Sequence, residues 1–287
     1  MSIIFRGNDK EAFRDPTAVF FDGSYHLFFT KSIKENGYMY NFVAHSVSSD
    51  LIHWTEPRVI TGKDRLKNYC SPGNIIKYKD EFFLCVTSYP MPKPYDEQFY
   101  ADDTARIFFI KTTDFKSFTE PEIIYAKGGE NIEEMGRMID PFVLRDKDNP
   151  DRYLLFFKQN GLSISESYDM KNWKFIGSSD AGENACVIVK DGKYMLIHSP
   201  EDGIGIKISE DLLSWEDRGV IYLNRKCWDW ANGRLTAAFV MESCGKTKYK
   251  YIIFFHGSRK ECSPETHGAA TLAVAYTDDF INFSYEP

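Results

Sequence analysis

Two aspartates that each precede a proline, and one glutamate, are the residues whose types and spacing could do chemistry together. Asp15 stands in Arg-Asp-Pro ahead of an apolar hairpin, Asp140 stands in Ile-Asp-Pro ahead of another, and Glu183 precedes a third. A single Asp before Pro is commonly a turn residue at the entry to a strand. Three acids at matching positions indicate a shared cavity, because gathering like charges costs stability unless a site uses them.

Carboxylates placed across a cavity are what the hydrolysis of a glycosidic bond needs. One must be protonated to donate to the leaving oxygen, and one must be ionised to activate water or to attack the sugar. A third acid nearby can raise the pKa of the proton donor and hold it in position. The trio therefore favours glycosidase chemistry.

A short pattern that occurs five times supplies the elements that would position these acids. It reads Asp, an apolar residue, two variable residues and an aromatic, and an alternating run precedes each copy. The Asp can bond its own backbone in a tight turn between two strands. The copies are DLIHW (50–54), DFKSF (114–118), DMKNW (169–173), DLLSW (211–215) and DFINF (279–283).

An apolar hairpin lies upstream of each copy, so each unit is predicted to be a four-stranded meander. Five units of about 57 residues leave no room for a second domain, and radial repetition of such sheets shields their edges. The prediction is an all-β fold, a five-bladed β-propeller of four-stranded antiparallel blades, as one domain over residues 1–287. The fifth unit ends with its own outermost strand, so we expect packing to close the ring. A short helix or a lid is expected within GGENIEEMGRM (128–138).

The first strand of each blade in a propeller lines the central channel, so the residues before these strands should converge on one pocket. They are Asp15, Ser71-Pro72, Asp140, Glu183-Asn184 and Gly233-Arg234.

Bulk composition limits the classes of partner. The net charge of −7 offers no basic patch for nucleic acid and no polybasic run for anionic lipid. No export signal and no run of eighteen apolar residues is present, so we expect a cytoplasmic protein. The six cysteines are far apart without a C-x-x-C pair, and we expect reduced thiols that mostly serve packing.

The quoted motifs resemble glycoside hydrolase family 43 and its relatives with five-bladed propellers. The similarity is carried by RDP-x-V-x-x-x-DG-x-Y-x-L-x-x-T at 14–30, the S-x-DL-x-x-W endings, IDP at 139–141 and the Glu that opens the fourth blade. It implies that Asp15 is the general base, that Asp140 tunes and orients the acid, and that Glu183 is the general acid. Inversion is the outcome typical of the family.

The chain departs from the family pattern after its glutamate. A small residue and proline usually follow there, whereas this chain has ENAC. Glu-x-x-Cys is also similar to the invertase-like relatives, in which the first-blade Asp is a nucleophile and the outcome is retention. Those relatives carry Asn-Asp-Pro-Asn in the first blade, and this chain has Arg-Asp-Pro-Thr.

Further residues are expected around the trio. Arg14, Ser71, Trp228 and Arg234 are predicted to bind substrate, with Trp228 as a stacking platform. In some family members an inner histidine helps to hold a water-coordinated calcium, so His256 is a candidate for a structural calcium in the channel, although no cofactor is expected to be required. The proline-rich segment 88–103 is long enough to wall one side of the cleft.

The leading hypothesis is an inverting, exo-acting glycosidase that removes arabinofuranosyl or xylosyl residues from short oligosaccharides. Four alternatives stay open at this point. The enzyme could cut another linkage, such as a fructoside, galactoside or anhydro-sugar, or it could be a phosphorylase. The propeller could also bind sugars without catalysis, or it could be a structural or scaffolding protein.

Overall fold

The structure is a computed structural model that describes residues 2–98, 100–101, 103–129, 131–223, 227–260 and 267–287. The described residues form strands in chain order, with short 3-10 helices at Ile132–Met135 and Asp229–Ala231. The strands are β1 (Ser2–Phe5), β2 (Glu11–Phe21), β3 (Ser24–Glu35), β4 (Tyr38–Ser48), β5 (Arg58–Val59), β6 (Tyr69–Cys70), β7 (Ile75–Tyr78), β8 (Glu81–Ser88), β9 (Arg106–Thr112), β10 (Glu122–Ile123), β11 (Ile139–Arg145), β12 (Tyr153–Lys158), β13 (Leu162–Ser167), β14 (Lys174–Ser179), β15 (Glu183–Lys190), β16 (Lys193–Ser199), β17 (Ile204–Ser209), β18 (Glu216–Ile221), β19 (Arg234–Glu242), β20 (Tyr251–Ser258) and β21 (Thr271–Thr277).

These strands form five antiparallel sheets arranged as the blades of a propeller, which confirms the predicted fold class. Blade 1 is β2–β5, blade 2 is β6–β10, blade 3 is β11–β14 and blade 4 is β15–β18. Blade 5 takes β19, β20 and β21 and then β1. The first strand of each blade lies against the first strands of its two neighbours, so the five inner strands surround a central channel. The short helix predicted within 128–138 is Ile132–Met135.

The ring is closed by the N-terminal strand, so the prediction that blade 5 supplies its own outermost strand was wrong. β1 pairs antiparallel with β21, with Ser2 opposite Val274 and Ile3 opposite Ala273. The stretch after the last repeat forms only an isolated bridge between Tyr276 and Ser284. Pairing the two ends of the chain in one sheet covers an edge of that sheet and ties blade 5 to the start of blade 1.

The repeated Asp forms the same turn in all five blades, as the sequence predicts. Its Oδ1 accepts the N–H groups of the residues two and three positions later, at 2.7–2.9 Å. The residue after each Asp has a left-handed backbone, with φ between 57° and 70°. A side chain that bonds its own backbone supports this strained turn locally, which is why the pattern recurs.

The inner strand of blade 2 is split into β6 and β7, which both pair with β8. The interruption brings the backbone of Gly73 against blade 3, where a Cβ would lie 1.5 Å from the carbonyl oxygen of Pro141. Asn74 then bonds both backbone groups of Val143, with its Oδ1 accepting at 2.9 Å and its Nδ2 donating at 2.6 Å. The break in the strand therefore serves the contact between the two blades.

The core lies between the blades and is dominated by Phe, Leu, Ile and Val side chains of the first three strands of each sheet. Cys70, Cys85 and Cys186 are free thiols inside it, and Cys227 and Cys244 are free and exposed. Cys262, the sixth, lies outside the described residues. No helix in the described ranges is long and apolar enough to cross a membrane.

Removing residues 1–6 should lower the thermal unfolding midpoint by roughly 5 °C or more. The deletion removes the backbone pairing with β21 and the Phe5 ring, whose centroid lies 5.1 Å from that of Phe29. Calorimetry measures the midpoint, and deletion of Glu286 and Pro287 is the control at the other end of the chain. Equal midpoints for the two truncations would contradict the assigned role of β1.

Candidate active site

One residue near the start of each inner strand has a left-handed backbone. These residues are Asp15 (φ 50°), Ser71 (44°), Asp140 (53°), Asn184 (53°) and Ala237 (51°). In blades 1, 3, 4 and 5 the strand register shifts beside this residue, and in blade 2 the strand is interrupted. Such bulges re-aim side chains, and non-glycine residues held at positive φ cluster at functional sites.

This repeat corrects the equivalences inferred from sequence. Asp15, Ser71 and Asp140 occupy matching positions as predicted, but the fourth-blade equivalent is Asn184, one residue after Glu183. The fifth-blade equivalent is Ala237, three residues after Arg234. Glu183 and Arg234 start their inner strands instead, opposite Ser199 and Ser258. A one-residue offset turns a side chain in another direction, so Glu183 reaches the site by a different route from the two aspartates.

In four of the five blades, the N–H of the left-handed residue donates to a side chain on the second strand of the preceding blade. These bonds join the blades where the side chains enter the channel mouth. They are Asp15 N to His256 Nδ1 (3.1 Å), Ser71 N to Thr30 Oγ1 (2.7 Å), Asp140 N to Thr87 Oγ1 (3.0 Å) and Ala237 N to Ser199 Oγ (2.8 Å).

Blade 4 is the exception, because the corresponding second-strand residue of blade 3 is Lys158, which lies opposite Ile139. Lysine offers no acceptor. The N–H of Asn184 donates instead to Oδ2 of Asp140 at 3.3 Å. Two neighbouring inner strands are thus joined through one of the three acids.

Asp15 is buried and held by donors on one of its two oxygens. Thr30 Oγ1 and Ser71 Oγ donate to Oδ2 at 2.9 and 3.3 Å, and Arg14 Nη1 lies 3.5 Å from the same oxygen. Burial alone would raise the pKa of Asp15, but Arg14, His256 and the Thr30 bond together hold it below its ordinary value. Oδ1 accepts no hydrogen bond from the described residues, so an ionised carboxylate presents a free oxygen.

Asp140 has the opposite electrostatic setting. Burial raises its pKa to about 8, and the neighbouring carboxyls of Glu183 and Asp15 add to the shift. The side chain is 5% exposed, and the Asn184 N–H is not sufficient to reverse these effects. At neutral pH Asp140 therefore carries a proton, beside an ionised Asp15.

Glu183 lies at the cavity side of β15 and meets a guanidinium from blade 5. Arg234 Nη2 donates to Glu183 Oε1 at 3.0 Å and also reaches the carbonyl oxygen of Pro200 at 3.4 Å. The side chain of Glu183 is 36% exposed and that of Arg234 is 39% exposed, so both are accessible from the cavity.

A cavity of about 420 Å³ brings the three acids together with Arg14, Ser71 and Arg234. The segment predicted to wall the cleft does so, with Tyr89, Met91, Tyr95 and Tyr100 facing the same space. Sequence reasoning did not single out Met39, Asn41, Arg137 or His267, which also line it. Only Arg137 had a sequence signal, since it lies three residues before Asp140.

Arg106 fixes the wall to its neighbouring loop. Its Nε and Nη2 donate to the carbonyl oxygen of Ile132 at 3.1 and 2.8 Å, and its Nη1 donates to the carbonyl oxygens of Ala105 and Asp103. The guanidinium therefore links the end of the tyrosine-bearing segment to the 3-10 helix before Arg137.

Trp228 does not reach the cavity, which corrects its prediction as a stacking platform. It is 7% exposed and stacks on Trp230 and Phe255, with ring centroids 5.2 and 5.9 Å away. Tyr285 covers it edge-on at 5.1 Å. The tryptophan pair therefore belongs to the core of blade 5, and the aromatic wall comes from blade 2 instead.

His256 lines the cavity, but its surroundings do not form a direct metal site. Burial lowers its pKa to about 3, and Nδ1 accepts the Asp15 N–H, so the neutral ring carries its proton on Nε2. The described residues contain no group of three His, Cys, Asp or Glu side chains placed to hold a metal. A calcium held mainly through water stays a prediction.

The comparisons with known proteins agree with this geometry. A family model described as the glycosyl hydrolases family 32 N-terminal domain matches residues 7–191, which is more than half of the chain. The chain belongs to this family. As a family 32 member it is a glycoside hydrolase of the propeller type, and the matched range includes all three acids. A search of curated proteins gives no match.

Solved structures share the fold of this family 32 propeller at low sequence identity. A thermostable family-43 glycoside hydrolase is 16% identical with a TM-score of 0.63, covering 100% of this chain and 96% of that one. A family 117 glycoside hydrolase from Zobellia galactanivorans is 14% identical with a TM-score of 0.67, covering 93% and 85%. The family 32 β-fructofuranosidase of Bombyx mori is 16% identical with a TM-score of 0.63, covering 95% of this chain and 61% of that one. The predicted resemblance to family 43 is confirmed in the fold.

Replacing Asp140 by Asn should stabilise the protein increasingly as pH rises from about 4 to about 8. The native state keeps a proton on Asp140 across this window, whereas the unfolded state loses it near pH 4, so wild-type stability falls as pH rises through the window. Asn has no proton to lose. Unfolding midpoints of both proteins measured from pH 4.5 to 8 give the difference.

Asp148→Asn, at an exposed carboxylate paired with Lys147, is the matched control. It should show no such trend. A difference between Asp140→Asn and wild type that stays constant with pH would mean that Asp140 is ionised in the native protein.

Proposed function

We propose that this protein is an inverting, exo-acting glycosidase that releases terminal arabinofuranosyl or xylosyl residues from short oligosaccharides. The observation that carries the proposal is the pairing, in one cavity, of an ionised Asp15 that has a free Oδ1 with Glu183. A location in the cytoplasm stays a prediction.

In this mechanism Asp15 accepts a proton from a water molecule while that water attacks the anomeric carbon. Glu183 donates its proton to the glycosidic oxygen, and the bond from the anomeric carbon to that oxygen breaks. The Thr30, Ser71 and Arg14 contacts hold Oδ2 of Asp15, so that Oδ1 is the oxygen that takes the proton. Arg234 positions Glu183 at the cavity side.

Asp140 affects the charge near Asp15 and the position of Glu183. Because it is neutral at pH 7, it does not add a second buried negative charge next to Asp15. Its link to the backbone of Asn184 lies one residue from Glu183, so the same bond positions the general acid. We assign Asp140 a positioning role, with no bond to the reacting atoms.

The shape of the cavity supports cleavage at a chain end. The tyrosine-bearing segment stands on one side of it, and about 420 Å³ is near the lower end of the range for ligand pockets. Tyrosine faces suit the apolar faces of sugar rings, and their hydroxyl groups suit sugar hydroxyls. A short oligosaccharide that enters with its end unit fits this arrangement.

Hydrolysis of a β-fructofuranoside is the second candidate, and the family 32 match over residues 7–191 favours it. In that case Oδ1 of Asp15 would attack the anomeric carbon while Glu183 donates its proton to the glycosidic oxygen, and the bond from the anomeric carbon to that oxygen would break. A covalent sugar ester would form and then be hydrolysed, with retention of configuration.

Asp15→Asn and Glu183→Gln should each lower kcat by about 10³-fold or more, because each removes a proton acceptor or donor of the reaction while keeping the shape of the side chain. Rates on aryl arabinofuranosides, aryl xylosides and sucrose measure the effect. Asp22→Asn, in the exposed hairpin turn of blade 1, is the matched control and should retain wild-type rates. Full activity of Asp15→Asn on every accepted substrate would disprove the mechanism.

The same substrates decide between the two candidates. Proton NMR of the first product shows whether the anomeric configuration is inverted or retained. Release of a pentose with inversion supports the leading proposal, and release of fructose with retention supports the second. Turnover that requires inorganic phosphate would replace both with phosphorolysis.

A further inference from the structure

Among the described residues, three guanidinium groups face the cavity, and two of them contact an acid of the trio. Arg14 lies 3.5 Å from Asp15, and Arg234 donates to Glu183 at 3.0 Å. The third is Arg137, just ahead of β11. A cationic side chain in a cavity of this size ordinarily has an anionic partner, since desolvating an unpaired charge is costly.

Within the described ranges, no carboxylate lies within ion-pair distance of Arg137. Its one side-chain hydrogen bond to a described residue is from Nη2 to the hydroxyl of Tyr89, at a long 3.4 Å, and the guanidinium lies 5.7 Å from the centre of the same ring. Four of its five N–H groups thus have no acceptor among the described residues. The Tyr89 ring supports the group without neutralising it.

The arginine is nevertheless held in place. Its carbonyl oxygen accepts from Gln159 Nε2 at 3.2 Å, and the next residue, Met138, donates its N–H to the carbonyl oxygen of Ala105 at 3.0 Å. The side chain is half-buried against the tyrosine wall. A half-buried guanidinium on an anchored backbone, with free donors, is suited to bind a planar oxyanion through two parallel bonds.

The remaining acid of the site does not compensate this charge. Asp140 lies three residues later, in β11, but it accepts from the backbone N–H of Asn184 and has the other two carboxyls as neighbours. Arg14 also keeps donor capacity, because its Nε is buried without a partner among the described residues. The cavity therefore has spare cationic donors on the side of the tyrosine wall.

We propose that Arg137 binds a carboxylate of the substrate, contributed by a uronosyl unit that lies in the cavity beside the scissile bond. This inference rests on the proposed function, because it names a further part of the substrate. A carboxylate is planar, matches the guanidinium fork and is the acidic group that a sugar ring carries at its own edge. Free inorganic phosphate offers similar oxyanion chemistry, and the test separates the two.

The test compares sugars that differ only in the acid. Titration calorimetry on the full chain would measure the binding of methyl glucuronoside and methyl galacturonoside against methyl glucoside and methyl galactoside. We expect the wild type to bind a uronoside at least about 10-fold more tightly than its neutral counterpart. Arg137→Gln should abolish this preference, and Arg137→Lys should restore part of it. Arg218→Gln, at an exposed arginine on β18 paired with Glu216, is the matched control and should bind as wild type does.

Equal binding of acidic and neutral sugars by the wild type would overturn the inference, as would an equal loss for both in Arg137→Gln. Saturable binding of inorganic phosphate that Arg137→Gln removes, without any uronoside preference, would overturn the uronosyl assignment and assign the position to phosphate. Hydrolysis is a separate readout. If uronoside preference depends on Arg137 while no glycoside is cleaved, the proposed function fails and the carboxylate site stands.

Discussion

The structure depends on one repeated constraint, which is a left-handed residue near the start of every inner strand whose N–H bonds to the preceding blade. Non-glycine residues avoid this conformation, at a cost of about 1 kcal/mol or more each. Bonds such as Ser71 N to Thr30 Oγ1 and Ala237 N to Ser199 Oγ offset that cost and join consecutive blades. The side chains of these residues are thereby fixed at the channel mouth, so the bonds that connect the blades also hold Asp15 and Asp140 there.

Blade 4 departs from this repeat, and the departure gives the two aspartates different hydrogen-bond partners. Lys158 stands where blades 1, 2, 4 and 5 have a threonine, serine or histidine, so the N–H of Asn184 turns to Asp140. This bond connects the acid of blade 3 to the strand that carries Glu183. Asp15, by contrast, receives two hydroxyl donors and a guanidinium. Two aspartates at equivalent positions are thus set to opposite protonation states by their partners, which makes gathering them tolerable.

Sequence reasoning succeeded where the responsible interaction is local. The hydrogen bonds of the five Asp turns join residues two or three positions apart. A pattern such as DLLSW or DFINF therefore predicts these bonds, and the number of copies predicts the number of blades. The positions of Asp15 and Asp140 could also be predicted, since an Asp-Pro dipeptide marks each one. Features that depend on partners distant in the sequence could not be predicted. The pairing of β1 with β21 joins residues far apart in the sequence, and the segment SIIF contains no signal that predicts β21 as its partner.

The site residues followed the same rule. Trp228 looked like a platform because it stands near the fifth inner strand, but burial against Trp230 and Phe255 is a property of the packed blade. The one-residue offset of Glu183 appears only when the left-handed residue of blade 4 is located at Asn184, and no sequence motif marks that residue. Arg137 is distinguished by having no carboxylate of the described residues within ion-pair distance. A linear sequence does not show which charged side chains form ion pairs.

The site therefore has two parts with different physical origins. Its floor consists of the inner-strand acids, held by backbone bonds between blades, and this part follows from the propeller itself. Its wall consists of the tyrosine-bearing segment and the loop before Arg137, which Arg106 ties together through carbonyl oxygens. Such bonds place few demands on the side chains of the wall, so the wall can differ between propellers that share the floor. Structures about 15% identical to this chain can therefore agree with it in fold.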